Sequence, residues 1–169
     1  NSLAEMAQLY PDGEIVKLNK SYRSTYEIMI FAKRILENTE IAPVERHGPE
    51  PEVIETRDEA GQTAVIKARL KEFTGSSAGT LGIILKTGRQ AEELYEILRP
   101  EYELELIRPD SDHFTGGISV TSIQMSKGLE FDEVMIPNAD RRSYFSPTDR
   151  NLLYIACTRA MHRLTILCY

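Results

Sequence analysis

The sequence of 169 residues has the length of one domain, since two halves would each lack a sufficient core. Hydrophobic residues make up 41% and charged residues 27%, which excludes a disordered tail and a collagen-like chain. No apolar run approaches the roughly 20 residues that span a bilayer, so we expect no membrane partner. The net charge of −6 argues against nonspecific nucleic-acid binding over the whole surface, but it permits one local basic groove.

The first residues and the cysteines indicate where the protein works. Residue 1 is Asn and not Met, which suggests a piece excised from a longer protein. The first residues do not show the basic leader and apolar core of a signal peptide, so none is predicted. Cys157 and Cys168 are too few for a disulfide framework or a four-ligand zinc site. We therefore expect a reducing, cytoplasmic setting. The histidines at positions 47, 113 and 162 lack metal-ligand spacing, so no metal site is predicted.

Strand-like and helix-like segments alternate in the first half of the chain. Residues 14–18 and 53–56 have the pattern of short strands, and residues 58–73 have that of a helix. Another helix is expected after Ser24, because Ser24 and Glu27 have the spacing of a capping box and apolar residues then recur every three or four positions. Loops are predicted at 47–51 and 75–79, which are rich in Gly, Pro or Ser.

The second half contains the most apolar strand candidate. Residues 81–85 are almost continuously apolar, which is typical of a parallel strand covered on both faces. A helix follows with Thr87 and Gln90 as its capping box, and the segment Ser146–Asp149 begins another with Pro in its first turn. Further strands are predicted at 102–107, 118–123, 131–136 and 164–167. This β-then-α order predicts a three-layer α/β domain with a mainly parallel sheet.

Three segments carry residue types suited to phosphate. In residues 19–25, Arg23 precedes a predicted helix N-terminus that favours an anion, although a solvated Arg in a capping loop is the alternative. In residues 121–131, hydroxyl side chains end a strand, beyond whose carboxyl end ligands bind in parallel sheets; a polar β-turn is the alternative. In residues 154–160, Arg159 ends an apolar helical run, where it can reach a neighbouring domain or form a surface ion pair.

In this order, the three segments resemble motifs IV, V and VI of UvrD/Rep-type superfamily-one DNA helicases. The matching residues are 18–24 (Leu-Asn-Lys-Ser-Tyr-Arg-Ser), 118–131, which ends in Lys-Gly-Leu-Glu-Phe, and 149–160, which ends in Cys-Thr-Arg-Ala. The resemblance covers essentially the whole chain. It implies that residues 1–169 form the second RecA-like motor domain, a P-loop NTPase-like fold without its own phosphate loop.

The resemblance implies a nucleotide site. It assigns Arg23 and Arg159 to the γ-phosphate of ATP, with Arg159 as the arginine finger. It places Gly128 and Glu130 at the nucleotide, with Glu130 on the ribose, and Tyr22 near the base. ATP and Mg²⁺ would be bound mainly by an N-terminal RecA-like domain, because this sequence has no Gly-x-x-x-x-Gly-Lys-Ser/Thr and no Asp-Glu pair after an apolar strand. The chain alone is therefore expected to be an inactive half of an ATPase.

The resemblance also implies contacts with single-stranded DNA. Ser122 and Gln124 stand where the family usually has Thr and His, and only the Ser keeps the family's functional group. Lys86, Thr87 and Arg89 follow the central strand, where the family has a further strand-contacting segment. The Lys-Gly-Leu-Glu sequence is typical of the 3′-to-5′ branch of the family.

The sequence thus predicts the C-terminal motor domain of an ATP-dependent, 3′-to-5′ DNA helicase or translocase. The interval between motifs IV and V is short for this family, which also permits a helicase-like ATPase that remodels RNA polymerase or another complex without unwinding. A noncatalytic, doubly wound binding module is the third alternative. Such a module needs clustered acids at strand ends near the N-terminus, and this sequence has none there.

Overall fold

The computed structural model describes Leu9 and residues 20–21, 23–36, 42–43, 45–109, 111 and 116–169. The strand predicted at 14–18, Tyr22, which is predicted to lie near the base, and His113 are outside these residues. Within the described ranges, every helix is too short or too polar to cross a bilayer.

Helices and strands alternate along the described chain. The helices are α1 (Tyr26–Ile35), α2 (Glu59–Thr74), α3 (Gly88–Leu98) and α4 (Pro147–Cys157). The strands are β1 (Lys20–Ser21), β2 (Ala42–Pro43), β3 (Glu52–Glu55), β4 (Thr80–Leu85), β5 (Glu105–Leu106), β6 (Gly117–Ser122), β7 (Phe131–Ile136) and β8 (Ala160–Cys168). Strands β1 and β2 pair separately, and the other strands form a parallel sheet in the order β3-β8-β7-β4-β6-β5.

Two apolar clusters, one on each face of the sheet, make the fold a three-layer structure. Buried residues of α1 and α4 pack with Ile84 and Ile136 in one cluster. Buried residues of α2 and α3 pack with Leu81 and Ile83 in the other. Strand β4 contributes to both clusters, as the continuous apolar run at 81–85 predicts.

The two edges of the sheet position different segments. At the carboxyl edge, Leu85 of β4 is in register with Ser122 of β6, and residues 137–146 leave β7 on the same side. At the amino edge, Phe131 of β7 is in register with Ala160 of β8. Helix α4 begins after the carboxyl-edge loop and ends just before β8, so it runs from the carboxyl edge to the amino edge.

Both later helix starts have the predicted caps. The hydroxyl of Thr87 accepts a hydrogen bond from the Gln90 backbone N–H, and the Gln90 side chain accepts one from Thr87. Ser146 and Asp149 form the same reciprocal pair at the start of α4. Each box satisfies two backbone donors that the helix itself leaves free.

The capping box predicted for Ser24 and Glu27 is wrong. Thr25 is the N-cap residue of α1, and its side chain makes no capping hydrogen bond. The Glu27 carboxylate instead accepts hydrogen bonds from His47 Nδ1 (2.6 Å) and the Gly48 backbone N–H (2.9 Å). The hydrogen bond from His47 is the largest cause of a lowered Glu27 pKa. A segment distant in sequence therefore outcompetes the local cap.

The bounds of strands β5 and β8 differ from those predicted from the sequence. Strand β5 covers only Glu105–Leu106 of the predicted 102–107, because it lies at the sheet edge and pairs with β6 alone. Strand β8 begins at Ala160, four residues before the predicted start, because its first residues pair with β7. The turn between α4 and β8 is consequently only two residues long, Thr158 and Arg159.

Replacing Gly82 by Ala is expected to destabilise the fold by about 1–3 kcal/mol through overpacking. A Cβ at Gly82 would lie 2.6 Å from a ring carbon of the fully buried Phe131, so the ring or the backbone would have to shift. The melting temperature should fall by about 2–4 °C for each kcal/mol lost. Gly88→Ala is the control, because a Cβ there meets no described atom within 4 Å. Equal melting temperatures for the two variants would contradict the close contact with Phe131.

Candidate functional site

Three segments that are far apart in sequence converge at the amino edge of the sheet. Arg23 precedes α1, Glu130 precedes β7 and Arg159 precedes β8. The Arg23 Nε–H forms an ion pair with Glu130 Oε1, and both side chains remain more than one-third exposed. We call these three residues the amino-edge cluster. The predicted phosphate-binding arginines and the predicted ribose-binding acid therefore lie together.

The Arg159 guanidinium is held by backbone carbonyl groups. Its Nε–H donates to the carbonyl of Ile155 (3.2 Å), and its Nη1 donates to the carbonyl of Leu129 (3.3 Å). The Arg159 carbonyl in turn accepts the Phe131 N–H (3.0 Å). Since a guanidinium carries five N–H donors, two such bonds fix its plane and leave other donors for a ligand.

The charges of the amino-edge cluster favour an anion. Burial lowers the pKa of Arg159, the nearby charge of Arg23 lowers it further, and Glu130 and Tyr154 oppose this change. Arginine nevertheless stays protonated in proteins. The cluster therefore holds two cations and one carboxylate. A bound phosphate would relieve the repulsion between the arginines and match their planar donor geometry.

Arg46 fixes the position of Arg23, a role that the sequence did not reveal. The Arg46 guanidinium donates to the carbonyl of Arg23 and to that of Met161 (2.9 Å), and the Arg46 carbonyl accepts the Tyr26 N–H (2.8 Å). These bonds tie the start of α1 to β8. They therefore hold the backbone from which the exposed Arg23 side chain extends. A single Arg in an irregular loop carries no periodic signal.

Residues 123–130 cross the sheet from the carboxyl edge to the amino edge. They leave β6 after Ser122 and enter β7 after Glu130. Ser122 is buried, whereas Gln124 in the following turn is exposed. Ser122 therefore lies at the carboxyl edge, where the sequence analysis placed the strand-ending hydroxyls, and Glu130 lies at the amino edge. The segment spans both edges because β6 and β7 both run parallel to β4, so the chain must return across the sheet between them.

Hydrogen bonds within the crossing segment give it a fixed shape. The Ser122 hydroxyl oxygen accepts the Met125 N–H (3.4 Å), and the buried Ser126 hydroxyl donates to the Ile123 carbonyl (2.8 Å). Gly128 has a φ of +87°, which favours glycine, and an added Cβ would meet no described atom within 4 Å. The space beside Gly128 leaves its backbone accessible, as its predicted role at the nucleotide requires.

The three residues after β4 have different environments. The Lys86 amine forms an ion pair with Asp149 (2.5 Å), and its side chain is only 24% exposed. The Thr87 hydroxyl caps α3. Arg89 is exposed and pairs with Glu93 one helical turn away. Of the three predicted strand contacts, Arg89 is therefore the most accessible cation.

A family profile matches the last third of this chain, and a solved structure matches most of it. The profile of the family described as UvrD-like helicase C-terminal domain matches residues 117–167. The crystal structure of the C-terminal domain of a possible DNA helicase from Lactobacillus plantarum WCFS1 matches at 33% identity and a TM-score of 0.74, covering 88% of this chain and 87% of that chain. This chain belongs to the UvrD-like helicase C-terminal domain family. The predicted family and the RecA-like α/β fold class are confirmed.

Two viral helicase structures are more distant. They are those of arterivirus nonstructural protein 10, with DNA and alone, at 15% and 17% identity and a TM-score of 0.46 each. Each match covers 70% of this chain. The match with the DNA complex covers 28% of the viral chain, and the match with the protein alone covers 30%. No curated protein sequence gives a significant match.

The UvrD-like domain has a further surface that the sequence analysis missed, the loop at residues 139–146. The Asp140 carboxylate accepts the backbone N–H groups of Arg142 (2.7 Å) and Ser143 (2.9 Å), which fixes the loop. Burial raises the pKa of Asp140, but these hydrogen bonds outweigh it and lower that pKa overall. Arg141 and Arg142 are exposed, and Phe145 is 72% exposed. The Arg-Arg-Ser-Tyr-Phe sequence was visible, but without periodicity it does not show which side chains face solvent.

Among the described residues, no group of three or more His, Cys, Asp or Glu side chains is placed to hold a metal ion. His47 contacts Glu27, and His162 lies 3.8 Å from Asp132. Asp132 also accepts the backbone N–H of Gly79 (2.7 Å), so it joins two strands at the amino edge.

Proposed function

We propose that this chain is the second RecA-like motor domain of an ATP-dependent DNA helicase or translocase. The observation that supports the proposal is the amino-edge cluster, in which motifs IV, V and VI supply Arg23, Glu130 and Arg159 to one place. A preceding RecA-like domain would provide the phosphate loop and the Mg²⁺ ligands. The cluster would then face ATP across the cleft between the two domains.

In this proposal Arg159 is the arginine finger. It would neutralise charge that develops on the γ-phosphoryl group during hydrolysis, and Arg23 would bind the same group. The carbonyls of Ile155 and Leu129 hold the Arg159 side chain in advance. Such preorganisation avoids the cost of orienting the donor during the reaction. The Glu130 carboxylate accepts hydrogen bonds from the ribose hydroxyls, and Gly128 permits close approach of the backbone.

The carboxyl edge is the proposed binding surface for single-stranded DNA. Gln124 and Arg89 lie there with exposed side chains, as do Phe145 and its two neighbouring arginines, whereas the Ser122 side chain is buried at the end of β6. Aromatic rings stack on bases, and arginines bind the phosphate backbone, without regard to sequence. These contacts suit a motor that moves along DNA of any sequence, with the 3′-to-5′ direction carried over from the family resemblance.

The isolated chain is expected to hydrolyse no ATP and to bind single-stranded DNA weakly. Its sequence lacks a phosphate loop, and its net charge of −6 opposes the approach of DNA. Phosphate release with saturating DNA and fluorescence anisotropy measure the two properties, with the complete helicase as the active control. DNA-stimulated turnover by the purified chain would contradict the two-domain proposal. A complete protein that hydrolyses ATP but never unwinds duplexes would favour translocation or remodelling.

Phe145→Ala in the complete helicase is expected to weaken single-stranded DNA binding by roughly 5- to 150-fold, since stacking is worth about 1–3 kcal/mol per base. Phe145→Tyr should bind like the wild type because it retains the aromatic face. Ile97→Ala is the matched control, as Ile97 is an exposed apolar residue on α3. Anisotropy titrations at fixed salt provide the measurement. If Phe145→Ala binds single-stranded DNA with unchanged affinity, the loop at 139–146 is not part of the DNA-binding surface.

A further inference from the structure

Lys86 is the residue at which three parts of the carboxyl edge meet. It follows the last residue of β4, and its amine forms an ion pair with Asp149 Oδ1 (2.5 Å). The amine also donates to the carbonyl of Ser143 and lies 5.3 Å above the ring of the buried Tyr144. An amine with these partners and a side chain that is 24% exposed is poorly placed to bind a DNA phosphate directly.

Asp149 connects Lys86 to the first turn of α4. It is the third residue of that helix, and its side chain is 11% exposed. Its Oδ2 accepts hydrogen bonds from the Ser146 N–H (3.1 Å) and hydroxyl (2.7 Å), while its Oδ1 faces Lys86. The Lys86 hydrogen bond is the largest cause of a pKa of about 2 for Asp149. The Asp149 carboxylate is therefore ionised near neutral pH.

Helix α4 links this contact to the amino-edge cluster. It contains 11 residues and is therefore about 16 Å long. Its last turn supplies the Ile155 carbonyl that holds the Arg159 side chain, and the Ala156 carbonyl accepts the Arg159 N–H (3.1 Å). A displacement at the first turn of a rigid helix moves the last turn as well.

We propose that Lys86 is a positioning residue and not a DNA-binding residue. Lys86 fixes the first turn of α4 and the loop at 139–146 to the central strand β4. The DNA-binding surface at the carboxyl edge and Arg159 are therefore parts of one rigid body. Binding of DNA at the carboxyl edge is thereby transmitted to the arginine at the amino edge. This inference rests on the proposed function, since it explains how DNA stimulates ATP turnover.

The test uses Lys86→Met, Asp149→Asn, the double variant and Lys86→Arg in the complete helicase. The factor by which DNA stimulates ATP turnover should fall roughly 2- to 30-fold in each of the first two variants. The double variant should be no worse than either, because both remove the same ion pair. Lys86→Arg should restore most of the stimulation. Asn at 149 keeps an acceptor for Ser146, so the helix cap survives.

The salt dependence of DNA affinity separates positioning from direct contact. Loss of one phosphate contact lowers the slope of log affinity against log salt by about 0.7 for a single strand. We expect an unchanged slope for Lys86→Met and Asp149→Asn, and a lower slope for the control Arg89→Met. A lower slope in Lys86→Met alone would overturn the inference while leaving the proposed function intact.

Two further outcomes would overturn the inference that Lys86 is a positioning residue. A lower melting temperature with normal stimulation per folded molecule would show that Lys86 is only structural, which overturns the inference. If Lys86→Met does not fold, Asp149→Asn and Lys86→Arg carry the same comparison. A wild-type protein without DNA-stimulated turnover would overturn the proposed function itself, and the inference with it.

Discussion

Replacing Arg159 by Ala in the complete helicase is expected to lower DNA-stimulated ATP turnover by about 10³-fold or more. The guanidinium acts mainly on charge that develops in the transition state, so ATP should still bind through the other motor domain. The side chain is partly buried and donates to two carbonyls, so the melting temperature should also fall by a few degrees, at about 2–4 °C for each kcal/mol lost. Steady-state turnover, nucleotide binding and thermal melting measure these effects separately.

Arg159→Lys distinguishes geometry from charge. A Lys amine keeps the positive charge but cannot reproduce the planar fork, so turnover should recover only slightly. An Arg159→Ala protein that melts far earlier than the wild type, yet keeps normal turnover per folded molecule, would make Arg159 a structural residue. That result would remove the arginine finger from the proposed mechanism.

Arg23→Ala should lower turnover by about 10²- to 10³-fold, the usual cost of removing one donor to developing charge. It should also weaken ATP binding more than Arg159→Ala does, because Arg23 is proposed to hold the γ-phosphate before the reaction. The exposed ion pair with Glu130 contributes little to stability, so the melting temperature should hardly change.

Arg34→Ala is the matched control for Arg23→Ala, since Arg34 is an exposed arginine in the last turn of α1. It should leave turnover and ATP affinity as in the wild type. Equal turnover in the two variants would exclude Arg23 from the nucleotide site. A loss of turnover in Arg23→Ala with unchanged ATP affinity would confine Arg23 to the transition state.

The sequence predicts those elements whose formation depends on nearby residues. The capping boxes at Thr87 and Ser146 are present because all their partners lie within one helical turn. The box at Ser24 and Glu27 fails because His47 and Gly48, about 20 positions away, bind the Glu27 carboxylate instead. Local pattern carries no information on such distant competitors.

In the candidate site, too, some features could be predicted from the sequence and others could not. Motif resemblance places Arg23, Glu130 and Arg159 in one site, and the structure brings them together although no spacing rule relates them. The resemblance does not reveal the clamp formed by Arg46, because that clamp consists of hydrogen bonds to backbone carbonyls. Backbone acceptors are the same at every residue, so no side-chain pattern marks them. The partners of Lys86 are hidden for a related reason, as one of them is the Ser143 carbonyl.

The place of β8 in the sheet has a consequence for synthesis on the ribosome. Strand β3 lies at the sheet edge and pairs with β8, so it has no neighbour in the sheet until residues 160–168 have been translated. Arg159 immediately precedes β8, and its carbonyl binds the N–H of Phe131 at the start of β7. The pairing of β8 with β7 and β3 therefore completes the sheet and also positions this arginine, so a nascent chain halted before β8 has neither a partner for β3 nor Arg159 held at the amino edge.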